Sequence, residues 1–284
     1  MMHKKVNDKM CVNITKDAKK QIIFFCDIDG TIVKGEMEIP PIVIEEAKKF
    51  MDLGGILCLC TGRAPISVSK IAKKLEVNGP SVLYSGAAGF DFSKGSYVWC
   101  DTFSENVKAH IEELLNKYPT ISVQVYTKER IYLLRTNAIL TNKGVKAELS
   151  KTVSRLSDID KDEEIIKIVL TDEDIRMLEN SRQEIFGSSE YIFEFASKHF
   201  VEVIPKTAGK DKGAQRIIEH LGLANPMIIS AGDAMTDLPL LKISDISFAP
   251  QDADKKVLEA VTYVFSSYKT GGVAQAFKKA SELI

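Results

Sequence analysis

From residue 21 onward, short uninterrupted apolar runs alternate with stretches whose apolar positions recur every three or four residues. Residues 21–26 (QIIFFC) are a run of the first kind and stop at Asp27-Ile28-Asp29-Gly30-Thr31, which predicts a buried strand ending in a turn. Pro40 and Pro41 open a helical segment over 42–53, with Ile44, Ala47 and Met51 on one face and Gly54-Gly55 closing it. Residues 56–60 predict a second buried strand, ending at Thr61-Gly62-Arg63; residues 66–75 predict a helix and 81–84 a short third strand. Strand, helix, strand, helix, strand is the order of a doubly wound, mostly parallel, Rossmann-like α/β sheet.

Near Phe90 the rhythm changes. Ser93-Lys94-Gly95-Ser96 predicts a hairpin turn between two short strands, and residues 103–118 a helix with Val107, Ile111, Leu114 and Leu115 on one face. Two alternating runs, 121–126 and 130–135, predict antiparallel strands; 165–170 and 191–195 predict two more, separated by a polar helix within 172–186. Short strands with intervening helices indicate an α+β module inserted into the α/β domain. The first rhythm resumes with a helix over 212–221 and a strand over 226–231 ending in Gly232-Asp233, then strands over 246–249 and 262–265 and a helix over 273–283. The expected organisation is a polar leader at 1–20, a core from 21–85 and 200–284, and an inserted cap at 86–199, with hinges near 86–89 and 199–205. Residues 141–162 are polar and predict no element.

Composition adds bounds rather than detail. Lys plus Arg total 38 against 39 Asp plus Glu, so nothing in the charge balance points to a nucleic-acid or membrane partner. The five cysteines, Cys11, Cys26, Cys58, Cys60 and Cys100, lack Cys-x-x-Cys spacing and three lie in strongly apolar runs, which favours buried reduced thiols in a cytoplasmic protein. The first 20 residues hold no apolar stretch of secretory or membrane-spanning length.

The chemistry collects at the ends of the predicted core strands. Asp27 with Asp29, Thr61, Lys212 ahead of a helix, and Asp233 with Asp237 all fall where the strand ends of an open parallel sheet converge on one crevice. Any one of them alone reads as a loop or helix-capping residue. Together they suit phosphate-ester cleavage: one carboxylate attacks phosphorus to give an aspartyl-phosphate, and a second two residues on handles protons. The charge on the transferring group then needs neutralising. Mg²⁺ held by Asp27, Asp233 and Asp237 would do this, with Lys212 on the other flank and the Thr61 hydroxyl and Gly62 amide donating to phosphate oxygens. Gly30 permits a sharp turn that aims the amides from Ile28 to Thr31 at the anion.

Asp27-Ile28-Asp29-Gly30-Thr31, Thr61-Gly62-Arg63, Lys212-Gly213 and Gly232-Asp233-Ala234-Met235-Thr236-Asp237 resemble the four motifs of the haloacid dehalogenase-like superfamily, and the insert resembles the larger αβ cap of its Cof-type sugar phosphatase branch. The resemblance implies Asp27 as nucleophile and Asp29 as general acid and then base. It implies phosphate binding by Ile28, Gly30, Thr61, Gly62, Lys212 and Thr236. It also implies Mg²⁺ on Asp27, the backbone carbonyl of Asp29, and Asp233, with Asp237 supporting the metal or orienting the lysine. A carboxylate at Asp29 favours phosphate-ester hydrolysis, or phosphoryl transfer between sugars, over dehalogenation or ion transport. The chain departs from the Cof-like pattern at Thr236 and at Ser85-Gly86-Ala87, where Asn is usual before the last Asp and at the first of the three. Lys206 and Lys210 compete with Lys212; Asp-Lys-Gly opening a helix favours Lys212, with Lys210 the second choice.

In the cap, Arg130, Arg135, Lys198 and His199 are candidates to meet a polar substrate, Tyr126, Tyr132 and Trp99 to stack on a sugar, and Glu202 to face the site by resemblance. The expected partner is a small phosphorylated metabolite, acted on by a monomer or small homo-oligomer. A phosphosugar mutase and a catalytically decayed phosphosugar-binding module remain as alternatives.

Overall fold

In the computed structural model, which describes residues 3–4, 20–34, 38–139, 150–160, 162–187 and 190–284, the apolar run at Ile22–Cys26 is an interior strand buried on both faces. The leader lies outside the described residues, apart from Lys20 and the backbone of His3–Lys4, as do Cys11 and residues 141–149 of the unassigned stretch. The strand belongs to a six-stranded sheet in the order His3–Lys4, Tyr263–Phe265, Ile246–Pro250, Met227–Ala231, Ile22–Cys26, Ile56–Leu59. Every pairing is parallel except that of His3–Lys4 with Tyr263–Phe265.

Parallel strands buried on both sides require helices on both faces. Pro41–Asp52 supplies one, burying Val43, Ala47 and Phe50. The expected face of Ile44, Ala47 and Met51 is therefore rotated by one residue, because Phe50 is drawn edge-on to Phe24, ring centroids 5.9 Å apart. Phe248 and Phe277 meet the same Phe24 ring at 6.2 and 4.9 Å, so one side chain joins the sheet to helices Pro41–Asp52 and Val273–Ser281. A three-stranded sheet, Ser81–Leu83, Ala88–Asp91 and Ser96–Cys100, follows the second helix, Pro65–Leu75.

The chain divides into two compact units, Met1–Val98 with Lys210–Ile284, and Trp99–Gly209. The second is a six-stranded sheet in the order Tyr191–Ser197, Phe200–Pro205, Lys167–Thr171, Ser122–Tyr126, Ile131–Arg135, Ser150–Thr152. Helices Asn106–Lys117 and Ile175–Glu184 send Val107, Ile111, Leu114 and Leu178 into one cluster with Val123, Val125, Ile168, Leu170, Val201 and Val203 of the strands. Phe200–Pro205, expected at the start of the returning core, instead pairs antiparallel with Lys167–Thr171 and Tyr191–Ser197. Its alternation explains this, since Val201 and Val203 have an apolar face to fill there. The two crossings therefore lie at Val98/Trp99 and Gly209/Lys210, later than the expected 85/86 and 199/200.

Cys26, Cys58 and Cys60 are buried thiols outside any disulfide, and Cys100 is a half-buried cysteine. Among the described residues no helix is long and apolar enough to cross a membrane. Phe24→Ala should cost about 3–5 kcal/mol, because it removes a ring that three others contact. Denaturant unfolding of the variant against wild type measures that loss, and a cost below about 1 kcal/mol would show that the junction does not depend on this ring.

Candidate active site

Strand register sets the site. Ala231 lies opposite Cys26, and Cys26 opposite Leu59, so Gly232, Asp27 and Cys60 leave the sheet level with one another. The Asp27 amide donates to the Ala231 carbonyl at 2.9 Å, the Cys60 amide to the Cys26 carbonyl at 2.8 Å and the Thr61 amide to the Val82 carbonyl at 2.9 Å. Three strand-end loops are thereby fixed side by side. Gly30 turns the first with a φ of +86°, and a Cβ at that position would overlap the Asp233 carboxylate. The position thus needs glycine for its dihedral and for the room it leaves Asp233.

The centre is a buried cluster of four charged side chains. Lys210 Nζ donates to Asp27 Oδ1 at 2.7 Å and to Asp237 Oδ1 at 2.5 Å, and all three residues are almost wholly buried. The second oxygen of Asp237 accepts from the backbone amides of Asp233 at 3.1 Å and Ala234 at 3.0 Å. Asp237 is therefore committed on both sides, orienting the lysine and closing the turn that carries Asp233. One carboxylate oxygen from each of Asp27, Asp233 and Asp237 lies within 4.8 Å of the others.

The lysine in this cluster is Lys210, not the preferred Lys212. Helix Lys210–His220 buries Lys210, Gly213, Ala214 and Ile217, a spacing of three, four and seven from its first residue, whereas Lys212 is exposed. Helical phase decides between them: the apolar stripe of Ala214 and Ile217, continued backwards, meets the helix start at Lys210.

Two of the three carboxylates bind one buried ammonium, with Asp233 beside them. Burial pushes the Asp27 carboxyl well above its ordinary value, against the pull of Lys210 and with a further push from Asp237. Burial and the neighbouring Asp237 likewise raise Asp233 to about 7. Burial would lower Lys210, but Asp237 and Asp27 outweigh it and keep the ammonium charged. The site thus favours either an extra proton or a cation, and carboxylate oxygens so close together suit a hard divalent ion.

Asp29 lies outside this cluster. Its two oxygens accept from Arg63 Nε at 2.7 Å and from the Arg63 terminal nitrogen at 2.5 Å. Sequence reasoning gave Arg63 no part, and its place in Thr61-Gly62-Arg63 is the only signal it left. Thr61 is buried, with its hydroxyl accepting from the Arg63 amide at 3.3 Å. Ile28 is buried beneath the loop, its carbonyl accepting from Ile32 and Val33 at 3.0 Å each, and Thr236 is half-buried in the turn of Met235–Asp237.

Several cap candidates have structural employment. Arg135 donates to the carbonyls of Tyr118 at 2.8 Å and Leu115 at 2.5 Å, the Tyr132 hydroxyl donates to Glu163 at 2.7 Å, and His199 Nδ1 lies 3.0 Å from the Asp172 carbonyl. Arg130 pairs with Glu163 at 3.7 Å, Lys198 is exposed and Trp99 half-buried. Glu202 pairs with the buried Lys167, whose ammonium sits 5.5 Å from the centre of the Tyr126 ring.

The family model of haloacid dehalogenase-like hydrolases matches residues 24–277, spanning both segments of the core and the whole insert. The chain belongs to this family. Among curated proteins it is similar to the 5-amino-6-(5-phospho-D-ribitylamino)uracil phosphatase YwtE of Bacillus subtilis, 23% identical over 87% of this chain and 94% of that one. It is also similar to the pyridoxal phosphate phosphatase YbhA of Escherichia coli, 18% identical over 88% and 94%. Among solved structures, a haloacid dehalogenase-like subclass IIB sugar phosphatase, BT4131, superposes with a TM-score of 0.79 at 21% identity, over 93% of this chain and all of that one. At such identities the superposition establishes the fold, including the inserted cap.

The Asp233 carboxyl, near 7 when folded against an ordinary 3.8, binds its proton more tightly in the folded state. Its contribution to stability is therefore full below about 4 and is lost as pH rises through about 7. Metal-free wild type should lose stability relative to Asp233→Asn between pH 5 and pH 8 in thermal unfolding, and a divalent cation should restore it at pH 8 in wild type alone. A constant difference across that range would contradict the crowding of charge described above.

Proposed function

We propose that this hydrolase is a Mg²⁺-dependent phosphatase that removes phosphate from a small phosphorylated, sugar-like metabolite through an aspartyl-phosphate on Asp27. The observation that carries the reading is the Lys210 ammonium bridging Asp27 and Asp237, with Asp233 beside them. It supplies a nucleophile, a fixed cation and a ligand set in one buried place.

Asp27 attacks phosphorus with one carboxylate oxygen, and the ester oxygen leaves with a proton from Asp29. Water then adds to the phosphorus of the acyl-phosphate, Asp29 takes its proton, and Asp27 is regenerated. Lys210 keeps the attacking carboxylate oriented and offsets charge as the phosphoryl group transfers. Thr61, Gly62 and the Ile28 amide would receive the phosphate oxygens, with Thr236 at the edge of the same loop cluster, whereas the Gly30 amide, expected to take part, is held by the Val33 carbonyl. Mg²⁺, when held by Asp27, Asp233 and the Asp29 carbonyl, supplies the remaining positive charge on the phosphate oxygens. Asp237 acts by orienting Lys210. The sugar-like substrate class is supported by the cap and by the sugar phosphatase among the structural neighbours.

Phosphate release from p-nitrophenyl phosphate and a panel of sugar phosphates tests the reading. EDTA should stop turnover and Mg²⁺ restore it, and Asp27→Asn should leave no more than a trace; full activity in either case would remove the metal or the nucleophile from the mechanism. Lys210→Ala should lose about 10²–10³-fold in kcat, while Lys212→Ala should stay within about threefold of wild type. The reverse ranking would return the role to Lys212.

A further inference from the structure

Arg63 and Asp29 are 34 residues apart and belong to the loops after two neighbouring strands. Both oxygens of the carboxylate accept from the planar guanidinium, a two-pronged contact that fixes orientation as well as distance. Stability alone is a poor reason for it: the side chains are 22% and 46% exposed, and exposed pairs contribute little to folding.

The backbone behind Arg63 is held with unusual care. The Arg63 amide donates to the Thr61 hydroxyl at 3.3 Å, and its carbonyl accepts from the Tyr84 amide at 3.2 Å. The Ser85 amide donates to the Thr61 carbonyl at 3.1 Å. Tyr84 and Ser85 reach these acceptors only by adopting φ of 52° and 57°, a left-handed conformation that side-chain-bearing residues rarely hold. Such backbone persists where the surroundings over-determine it, and here it clamps the loop that presents Arg63. On the other side, the Gly30 amide donates to the Val33 carbonyl at 2.7 Å and fixes the turn that presents Asp29.

Taking the phosphatase reading as its basis, we propose that Arg63 is the positioning residue for Asp29, setting the carboxylate so that it can pass a proton to the departing ester oxygen. The two-pronged contact suits that task. One oxygen turns to the leaving group while the other stays on the guanidinium, so Asp29 keeps its direction during transfer. Arg63 thereby acts through Asp29.

The test compares two leaving groups. Nitrophenolate departs from p-nitrophenyl phosphate without needing a proton, whereas a sugar alkoxide does need one. The quantity read is the ratio of kcat/KM for the sugar phosphate that wild type turns over fastest in a panel to kcat/KM for p-nitrophenyl phosphate. Loss of phosphate affinity or of folded protein cancels in this ratio, and hydrolysis of the aspartyl-phosphate lies beyond the steps that kcat/KM reports. Arg63→Gln should lower the ratio by about tenfold or more, a part of what a general acid contributes. Arg63→Lys, which offers one contact instead of two, should recover part of the loss. Adding Arg63→Gln to Asp29→Asn should change the ratio no further. An unchanged ratio in Arg63→Gln, or a full additional loss in the double variant, would overturn the role of Arg63 and leave the phosphatase reading standing. Failure of wild type to release phosphate from either ester would overturn both.

Discussion

The buried Lys210 ammonium, held between Asp27 and Asp237, is the interaction on which the rest of the core depends. A buried ion pair is costly to assemble and is kept only when its geometry is good and its remaining lone pairs are occupied. Parallel pairing of Ile22–Cys26 with Met227–Ala231 sets Asp27 beside the turn of Asp233 to Asp237. The buried face of helix Lys210–His220 brings the lysine in, and two backbone amides occupy the far oxygen of Asp237. The aromatic cluster around Phe24 and the helices over the sheet hold the strands in the register that this arrangement needs.

The second unit is built on another plan. Its helices and one face of its sheet enclose an apolar core of their own, so the strands can vary on the opposite face without disturbing that core. Lys167, Glu202, Gln124 and Tyr126 stand on alternate positions from the apolar set, and Tyr126 donates to Gln124 at 3.1 Å. The residues read from sequence as possible substrate contacts divide accordingly. Arg135 and Tyr132 are committed to backbone carbonyls and to Glu163, whereas Glu202 and Tyr126 lie on the opposite face, where Tyr126 also packs against Ile131 and Leu133.

Much of the fold was legible because two simple periods govern it. Uninterrupted runs marked the buried parallel strands, and spacings of three and four marked the helices over them. The losses have physical reasons. Phe200–Pro205 alternates like an antiparallel strand, but it adjoins the motif region and was grouped with the core. The short strand Ser150–Thr152, a Ser, a Lys and a Thr, carries no apolar signature although it pairs with Ile131–Arg135. Lys210 and Lys212 are indistinguishable as local chemistry, and only the phase of Ala214 and Ile217 separates them. The grip of Arg63 on Asp29 could not be read at all from single motifs, since it exists only once two loops are set side by side.

Asp237 shows how much of the site is support rather than chemistry. An Asn in its place would keep one acceptor and turn an NH₂ group toward either the ammonium or the two amides, leaving donors facing donors. Both carboxylate oxygens of Asp237 are needed simply to hold Lys210 and the turn of Asp233. What remains to meet a phosphate or a cation is then narrower than the three-carboxylate cluster suggests: the second oxygen of Asp27 and the carboxylate of Asp233. The buried Asp27 and the half-buried Asp233, backed by a saturated third carboxylate and a committed lysine, make a socket whose groups are oriented before any ligand arrives. Reorganisation during reaction is correspondingly small, which is the condition under which fixed charges lower a barrier most.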